Sequence, residues 1–183
     1  MKKLYVVGNK ASKSLSPTIF NYWFKKYNIK ASYGYLELTE KNFHKKIKEI
    51  LEKKDTLGLN VTIPFKNKII KHIGKIDAHA KKIGAVNCVT NKKTVNGTNT
   101  DWTGYYKTLP NIKKTKNRKV VILGYGGASH AIHYVLKKRG FKDILIFNRS
   151  KKKIKYSKNT EYTKTYSDLG THLGGVTLII NTT

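Results

Sequence analysis

Val120-Val-Ile-Leu-Gly124-Tyr-Gly126-Gly127-Ala128-Ser129 is the stretch whose reading decides the fold. Val120 to Leu123 form a continuous apolar run, the pattern of a strand buried on both faces in a parallel sheet. Gly127 to Arg139 then read as a helix with Gly140 at its end, so a strand passes through a glycine turn into a helix. That is the context a dinucleotide-binding turn requires. Gly126 and Gly127 let backbone N–H groups approach a pyrophosphate at a helix N-terminus, where positive partial charge collects. The third glycine of the usual fingerprint falls at Ser129, still small enough for close packing of strand on helix. Gly124, Gly126, Gly127 and Ala128 are the candidate cofactor contacts, and a plain glycine turn is the competing reading.

Downstream, Ile144 to Phe147 is a second apolar strand, ending in Asn148-Arg149-Ser150 and three lysines. A site for NAD places a carboxylate at this point to accept bonds from the ribose 2′-hydroxyl, whereas the residues here suit a 2′-phosphate. Arg149 can stack on adenine or grip that phosphate, Asn148 and Ser150 stand beside it, and Lys153 can add charge. NADP is therefore expected over NAD, against the bland reading of the lysines as a solvated helix start. Val176 to Ile180 is a third buried-type strand. A complete dinucleotide domain has about six strands in two halves, so the Rossmann-like domain is expected to be incomplete.

Upstream the pattern is also α/β. Lys3 to Val7 reads as a strand, and Ser16 as the N-cap with Pro17 at the first position of a helix carrying Ile19, Phe20, Trp23, Phe24 and Tyr27. Ser32 to Leu38 alternates as a strand. Thr39 to Lys53 returns to helix with Phe43, Ile47, Ile50 and Leu51 on one face. Leu57 to Ile63 is a strand stopped by Pro64, followed by helical pieces at Ile69 to Ile73 and Ile76 to Ile83, the latter closed by Gly84. Ala85 to Thr90 is a strand, Asn91 to Asn96 a polar turn, and Asp101 to Leu109 a helix leading into the basic stretch Asn111 to Lys119. The boundary is placed near Trp102: residues 1–102 form a substrate-binding and catalytic domain, residues 103–183 a partial Rossmann NADP-binding domain.

The 183 residues carry a formal net charge of +28, which raises nucleic acid or an acidic membrane surface as partners. Yet only three of the 38 basic residues are arginine, the side chain suited to bidentate phosphate and base contacts, and the lysines are spread along the whole chain. We read the charge as background, with no specific nucleic-acid partner. No apolar run approaches the ~18 residues of a membrane-spanning helix, so no membrane partner is expected. The lone Cys88 excludes a disulfide framework and Cys-based zinc clusters, and reads as a small buried apolar residue. His130 and His133 lack further clustered ligands, so no metal is expected. Met1-Lys2-Lys3 runs directly into a strand rather than a signal peptide, which makes the expected location cytoplasmic.

Four short polar motifs precede residue 102: Ser14-Leu-Ser16-Pro17, Asn60-Val-Thr62-Ile-Pro64-Phe-Lys66, Gly84-Ala-Val-Asn87-Cys88 and Asn99-Thr-Asp101. Each lies at a strand end or helix start, where ligands gather in open α/β sheets. In this order, with the glycine turn and Asn148-Arg149-Ser150 behind them, they resemble the shikimate dehydrogenase family over nearly the whole chain. The resemblance implies reversible reduction of 3-dehydroshikimate to shikimate with NADPH, on the route to chorismate and the aromatic amino acids, with the active site between the two domains. It implies Ser14 and Ser16 on the substrate carboxylate and Lys66 as the proton donor and acceptor. Asp101 would pair with Lys66 and accept bonds from substrate hydroxyls, with Thr62 and Asn87 orienting. Asn60 reads as structural, and Asp101 taken alone as a helix N-cap.

Family members continue past residue 183 with further nucleotide-domain strands and a helix returning to the first domain, so the chain is expected to be a piece of a longer protein, a monomer or homodimer when whole. Three alternatives stay open at this point. One is a quinate/shikimate enzyme using NAD, another an inactive truncated remnant that binds substrate without turnover. The third is a basic nucleic-acid-binding protein built on an enzyme relic, which predicts binding that weakens steeply with salt.

Overall fold

A computed structural model describes residues 1–109, 118–154 and 161–183; the expected basic stretch at Asn111 to Lys119 lies, through residue 117, outside the described residues. The chain separates into two compact units, Met1–Lys81 with Ala85–Asn99, and Lys82–Gly84 with Thr100–Thr183. Among the described residues, no helix is long and apolar enough to cross a membrane.

In the first unit the chain runs β1 (Lys2–Gly8), α1 (Ser16–Lys26), β2 (Ala31–Glu37), α2 (Phe43–Leu51), β3 (Thr56–Val61), β4 (Lys75–Ile76), β5 (Cys88–Asn91) and β6 (Val95–Thr98). Helix α3 (Ala78–Ile83) lies between β4 and β5 in the chain. The sheet order is β2-β1-β3-β5-β6-β4. β1 is parallel to β2 and β3, whereas β5 is antiparallel to both β3 and β6. This mixture has a consequence for position: the carboxyl ends of β1, β3 and β6 and the start of β5 all fall at one end of the sheet. The register makes it explicit, with Asn60 opposite Cys88 and Cys88 opposite Thr98.

The core of this unit is built where the periodicities meet. Phe43, Ile47 and Ile50 recur on one face of α2 and are buried against Val7, Leu59, Val61, Phe65 and Ile69. The Phe43 and Phe65 rings stack at 4.2 Å and 12°. Helix α2 starts four residues later than the pattern predicts, because Thr39 and Asn42 satisfy each other locally. The Thr39 N–H donates to Asn42 Oδ1 at 2.9 Å and the Asn42 N–H to Thr39 Oγ1 at 3.4 Å, a turn that competes with helix. The start of α1 also differs from expectation: Leu15 is the N-cap and Ser16 the first helical residue. Ser16 is instead engaged with Ser14, whose Oγ accepts the Ser16 N–H at 3.2 Å and donates to Ser16 Oγ at 3.1 Å. The stretch expected as helix at Ile69 to Ile73 is a 3₁₀ turn over Lys68–His72, while Gly84 closes α3 with a φ of 68°.

In the second unit the chain runs α4 (Asp101–Thr108), β7 (Lys119–Leu123), α5 (Gly127–Lys138), β8 (Ile144–Phe147), α6 (Leu169–His172) and β9 (Val176–Asn181). The sheet order is β8-β7-β9, parallel throughout, with one further parallel bridge from Phe147 to Lys164. β7 lies in the centre, and Val120, Val121 and Ile122 are fully buried, as their unbroken apolar run predicts. β9 pairs in parallel with β7 as the third strand, with Leu178 and Ile180 packing inward and Ile179 53% exposed. Helix α4 is pinned to α5 by Arg139, whose guanidinium lies 3.9 Å from the Tyr106 ring and donates to the Tyr106 carbonyl at 3.1 Å.

Candidate active site

The polar motifs that follow β3 and precede β5 are held to each other and to the end of β1 by main-chain hydrogen bonds at the shared end of the sheet. The Thr62 N–H donates to the Val7 carbonyl at 2.8 Å and the Asn9 N–H to Ile63 at 3.1 Å, joining the end of β1 to the turn after β3. The Val86 N–H donates to the Lys66 carbonyl at 2.8 Å. Asn87 bridges two strands, its carbonyl accepting the Val61 N–H at 2.8 Å and its N–H donating to Thr98 at 3.1 Å. Asn99 is buried and its amide donates to the Ala85 carbonyl at 2.9 Å. Ser14, Ser16, Thr62, Lys66 and Asn87 are all half-buried, accessible to a ligand yet fixed by their backbones.

Gly8 is indispensable to this arrangement. A Cβ there would stand 2.5 Å from Thr62 Cγ2 and 3.1 Å from the Ile63 carbonyl oxygen, so only glycine allows β1 to approach the turn so closely. Tyr33, within the stretch expected as a strand at Ser32 to Leu38, is a second support that no sequence motif marks. Tyr33 is 3% exposed, stacks on Phe20 at 4.7 Å, and donates its hydroxyl to Asn60 Oδ1 at 2.6 Å. Burial pushes its phenol up to about 12, a hydrogen bond from Ser16 pulling the other way and nearby Cys88 adding to the rise. The available signal was its inward place in the alternating strand, since a buried tyrosine needs a partner for its hydroxyl. Cys88, expected to be buried, is partly exposed at the start of β5.

Asp101 belongs to the second unit, where it is the first residue of α4 behind the N-cap Thr100, not the cap itself. In the same unit the glycine turn runs from β7 into α5. Gly124 adopts a φ of +96°, and a Cβ there would meet Thr182 Oγ1 at 2.7 Å. Gly126 is the N-cap of α5, in extended conformation with open space where a Cβ would stand, and no side chain caps the first turn. Ser129 is fully buried where the helix meets the strand, as the substitution for a third glycine predicts. Arg149, Ser150 and Lys153 are exposed beyond the carboxyl end of β8. Their loop is shaped by Asn148, whose amide donates to the Ser150 carbonyl at 2.9 Å, and by Thr163. Thr163, only 1% exposed, accepts the Lys152 N–H at 2.9 Å and donates to Ser150 at 3.3 Å; nothing in the sequence marked it. His133, with Tyr125, His130 and Tyr134, lines a cavity of about 90 Å³. Burial, helped by Lys137 and opposed by Glu161, pushes the His133 imidazole down to about 4.

These features define the class: an α/β unit with a polar cluster at converging strand ends, joined to a Rossmann-like parallel unit. Comparison with known proteins carries the assignment to a family. The model of the shikimate dehydrogenase substrate binding domain matches residues 6–89. A curated shikimate dehydrogenase (NADP(+)) of Thermotoga maritima is 37% identical over 148 residues, which cover 81% of this chain and 55% of that protein. The crystal structure of shikimate dehydrogenase from Thermotoga maritima superposes with a TM-score of 0.84 at 33% identity, covering 99% of this chain and 68% of that one. The Thermus thermophilus enzyme, solved in complex with NADP(H) and shikimate, gives a TM-score of 0.68 at 26% identity over 82% of this chain and 57% of that one. The chain belongs to the shikimate dehydrogenase family. It spans about half the length of the curated relatives it matches.

Proposed function

We propose that this chain carries the substrate site and the first part of the cofactor site of an NADP-dependent shikimate dehydrogenase, which interconverts 3-dehydroshikimate and shikimate. The observation that supports this reading best is the placement of Thr62, Lys66 and Asn87 together at one end of a mixed sheet, with half-buried Ser14 and Ser16 in the segment that leads from β1 into α1, in a chain of this family. Two hydroxyls at the start of α1 suit a carboxylate, and an amide and a hydroxyl suit ring hydroxyls. Lys66 is the cation able to deliver a proton to the ketone oxygen as it becomes an alkoxide, and to take it back in the reverse direction. Asp101 accepts bonds from the substrate hydroxyls, and Thr62 and Asn87 fix which carbon is presented for reaction.

The glycine turn fits a dinucleotide. Gly126 leaves the space above the first turn of α5 open, and the N–H groups there have no side-chain cap, a setting that favours a pyrophosphate. Exposed Arg149, Ser150 and Lys153 suit a 2′-phosphate, with no carboxylate at the end of β8 to favour a ribose hydroxyl. When bound, the nicotinamide supplies or accepts the hydride. The aqueous compartment expected for such chemistry is the cytoplasm.

The test is oxidation of shikimate by NADP⁺ at alkaline pH, followed through the absorbance of reduced nicotinamide, beside calorimetric titration with shikimate. Lys66→Ala is expected to lower kcat by about 10²–10⁴-fold, the usual contribution of a positioned acid–base group, while shikimate binding survives. A protein that neither binds shikimate nor turns it over, or a Lys66→Ala variant of undiminished kcat, overturns the proposal.

A further inference from the structure

Residues 161–164 return to the end of β8 and fill the bend of the loop at 148–154. On one side they pair in parallel with β8, the Asn148 N–H donating to the Lys164 carbonyl at 2.9 Å and the Lys164 N–H to Ile146 at 2.8 Å. On the other they pair antiparallel with the far limb of the loop, the Ile154 N–H donating to Glu161 at 2.8 Å and Lys153 bridging to Tyr162. Thr163 stands between the two limbs and is 1% exposed. It clasps Lys152 by both main-chain groups: its Oγ1 accepts the Lys152 N–H at 2.9 Å, and its own N–H donates to the Lys152 carbonyl at 2.8 Å. Its hydroxyl proton goes to the Ser150 carbonyl at 3.3 Å, which also takes the Asn148 amide at 2.9 Å. One buried hydroxyl therefore ties down residues 150 and 152, in the stretch that carries the exposed side chains of Arg149, Ser150 and Lys153.

We propose that Thr163 is a positioning residue for the 2′-phosphate of NADP, and so sets how strongly this chain prefers that cofactor to NAD. The inference rests on the reading of Arg149, Ser150 and Lys153 as the phosphate contacts. Those three side chains are exposed, so what aims them is the path of the backbone beneath them. A hydroxyl carries one donor and accepts through its lone pairs, and Thr163 spends both functions on main-chain groups of the loop. The Ser150 carbonyl has nothing to donate to an anion, and the Lys152 N–H is turned toward a buried oxygen, so both bonds persist when side chains grip the phosphate. With this brace the loop stands in its binding form before the cofactor arrives. Without it the loop spreads over other conformers, and the apparent affinity falls with the fraction that stays competent. NAD has no phosphate for these side chains to grip, so its affinity depends far less on that fraction.

NADP⁺ and NAD⁺ are titrated calorimetrically into the full chain as wild type, Thr163→Val and Thr163→Ser, with thermal unfolding as the control for folding. Valine keeps the buried bulk and removes the hydroxyl, whereas serine keeps the hydroxyl. Thr163→Val is expected to raise the Kd for NADP⁺ about five-fold, the size of effect that one or two net hydrogen bonds supply, and that for NAD⁺ less than about two-fold. Thr163→Ser is expected to retain most of the wild-type preference. A merely structural role weakens both dinucleotides alike, and that outcome overturns the proposal. In an Arg149→Ala background the Thr163→Val effect on NADP⁺ is expected to shrink, because the brace acts through that side chain. Should Thr163→Val fail to fold, hydrogen exchange at the Lys152 amide of the ligand-free wild type decides: protection supports a prebuilt brace, and exchange at the rate of an open loop overturns it. Wild-type protein that holds NADP⁺ no more tightly than NAD⁺ overturns the reading of the phosphate contacts, and the brace with it. A wild-type preference for NADP⁺ that Thr163→Val keeps in full overturns the role of Thr163 alone.

Discussion

Acid should weaken the second unit through one histidine on α5. The His133 imidazole is pushed down from 6.5 to about 4, first by burial and then by the Lys137 ammonium, with Glu161 opposing. In the unfolded chain the ring titrates at its ordinary value, so between pH 6.5 and 4 the unfolded state binds a proton that the folded state refuses. Stability from this group is fully present above about pH 6.5 and is lost as the pH falls toward 4. A gap of about 2.5 pH units, at about 1.36 kcal/mol per unit, gives about 3.4 kcal/mol. Solvent still reaches part of the ring, so we expect roughly 2–3 kcal/mol in practice. The assay is urea unfolding at pH 7.5, 5.5 and 4.5, read from Trp102, which packs edge-on against Tyr134 at 5.8 Å in this unit. A Trp23→Phe background removes the other tryptophan, which lies in the first unit. His133→Gln keeps much of the volume without the titration, and its stability should fall much less over this range. Parallel loss in both proteins would refute the reasoning, because carboxylates protonated on the way down contribute equally to each.

Phe43→Ala should cost about 3–5 kcal/mol in the first unit, as it empties a fully buried position stacked on Phe65 just before the Lys66 turn; urea unfolding followed by Trp23 emission measures it. Gly124→Ala should cost more than about 2 kcal/mol in the second unit, combining left-handed backbone strain with a Cβ 2.7 Å from Thr182 Oγ1, and chemical unfolding read from Trp102 checks it. Arg149→Ala should weaken NADP⁺ by about ten- to a hundred-fold and NAD⁺ by much less, as the loss of a charge-assisted phosphate contact predicts; equilibrium titration with both dinucleotides decides it. Equal weakening of the two would place Arg149 away from the 2′-phosphate.

Where one physical rule governs a segment, the fold was legible. Val120 to Leu123 could only be a strand covered on both faces, and the structure buries it in the centre of a parallel sheet. Gly140 and Gly84 marked helix ends because each adopts positive φ there. Misreadings arose where two local rules compete. Thr39 and Asn42 are tolerated in a helical pattern, but their side chains supply hydrogen bonds that the backbone takes instead. Ser16 before a proline has the composition of an N-cap, yet Ser14 offers it a closer partner and moves the cap to Leu15.

The candidate site divides along the same line. Residues that would meet ligands directly, such as Ser14, Ser16, Lys66 and Asn87, stood out as polar types at strand ends, where the hydrophobic pattern gives them no other work. The residues that hold them in place did not, because Gly8, Tyr33 and Thr163 are each ordinary for their local element. Gly8 matters only once Thr62 arrives 54 positions later in the chain, Tyr33 once Asn60 pairs into the same sheet, and Thr163 once the Phe147–Lys164 bridge brings it beside Ser150. Their roles are made by tertiary contacts, with partners dictated by hydrogen-bond satisfaction and close approach in the buried state. A mixed sheet with β5 folded back antiparallel brings the ends of β1, β3 and β6 and the start of β5 to one end of the first unit, so a search for such supports starts from the register of the strands and the demands of buried hydroxyls.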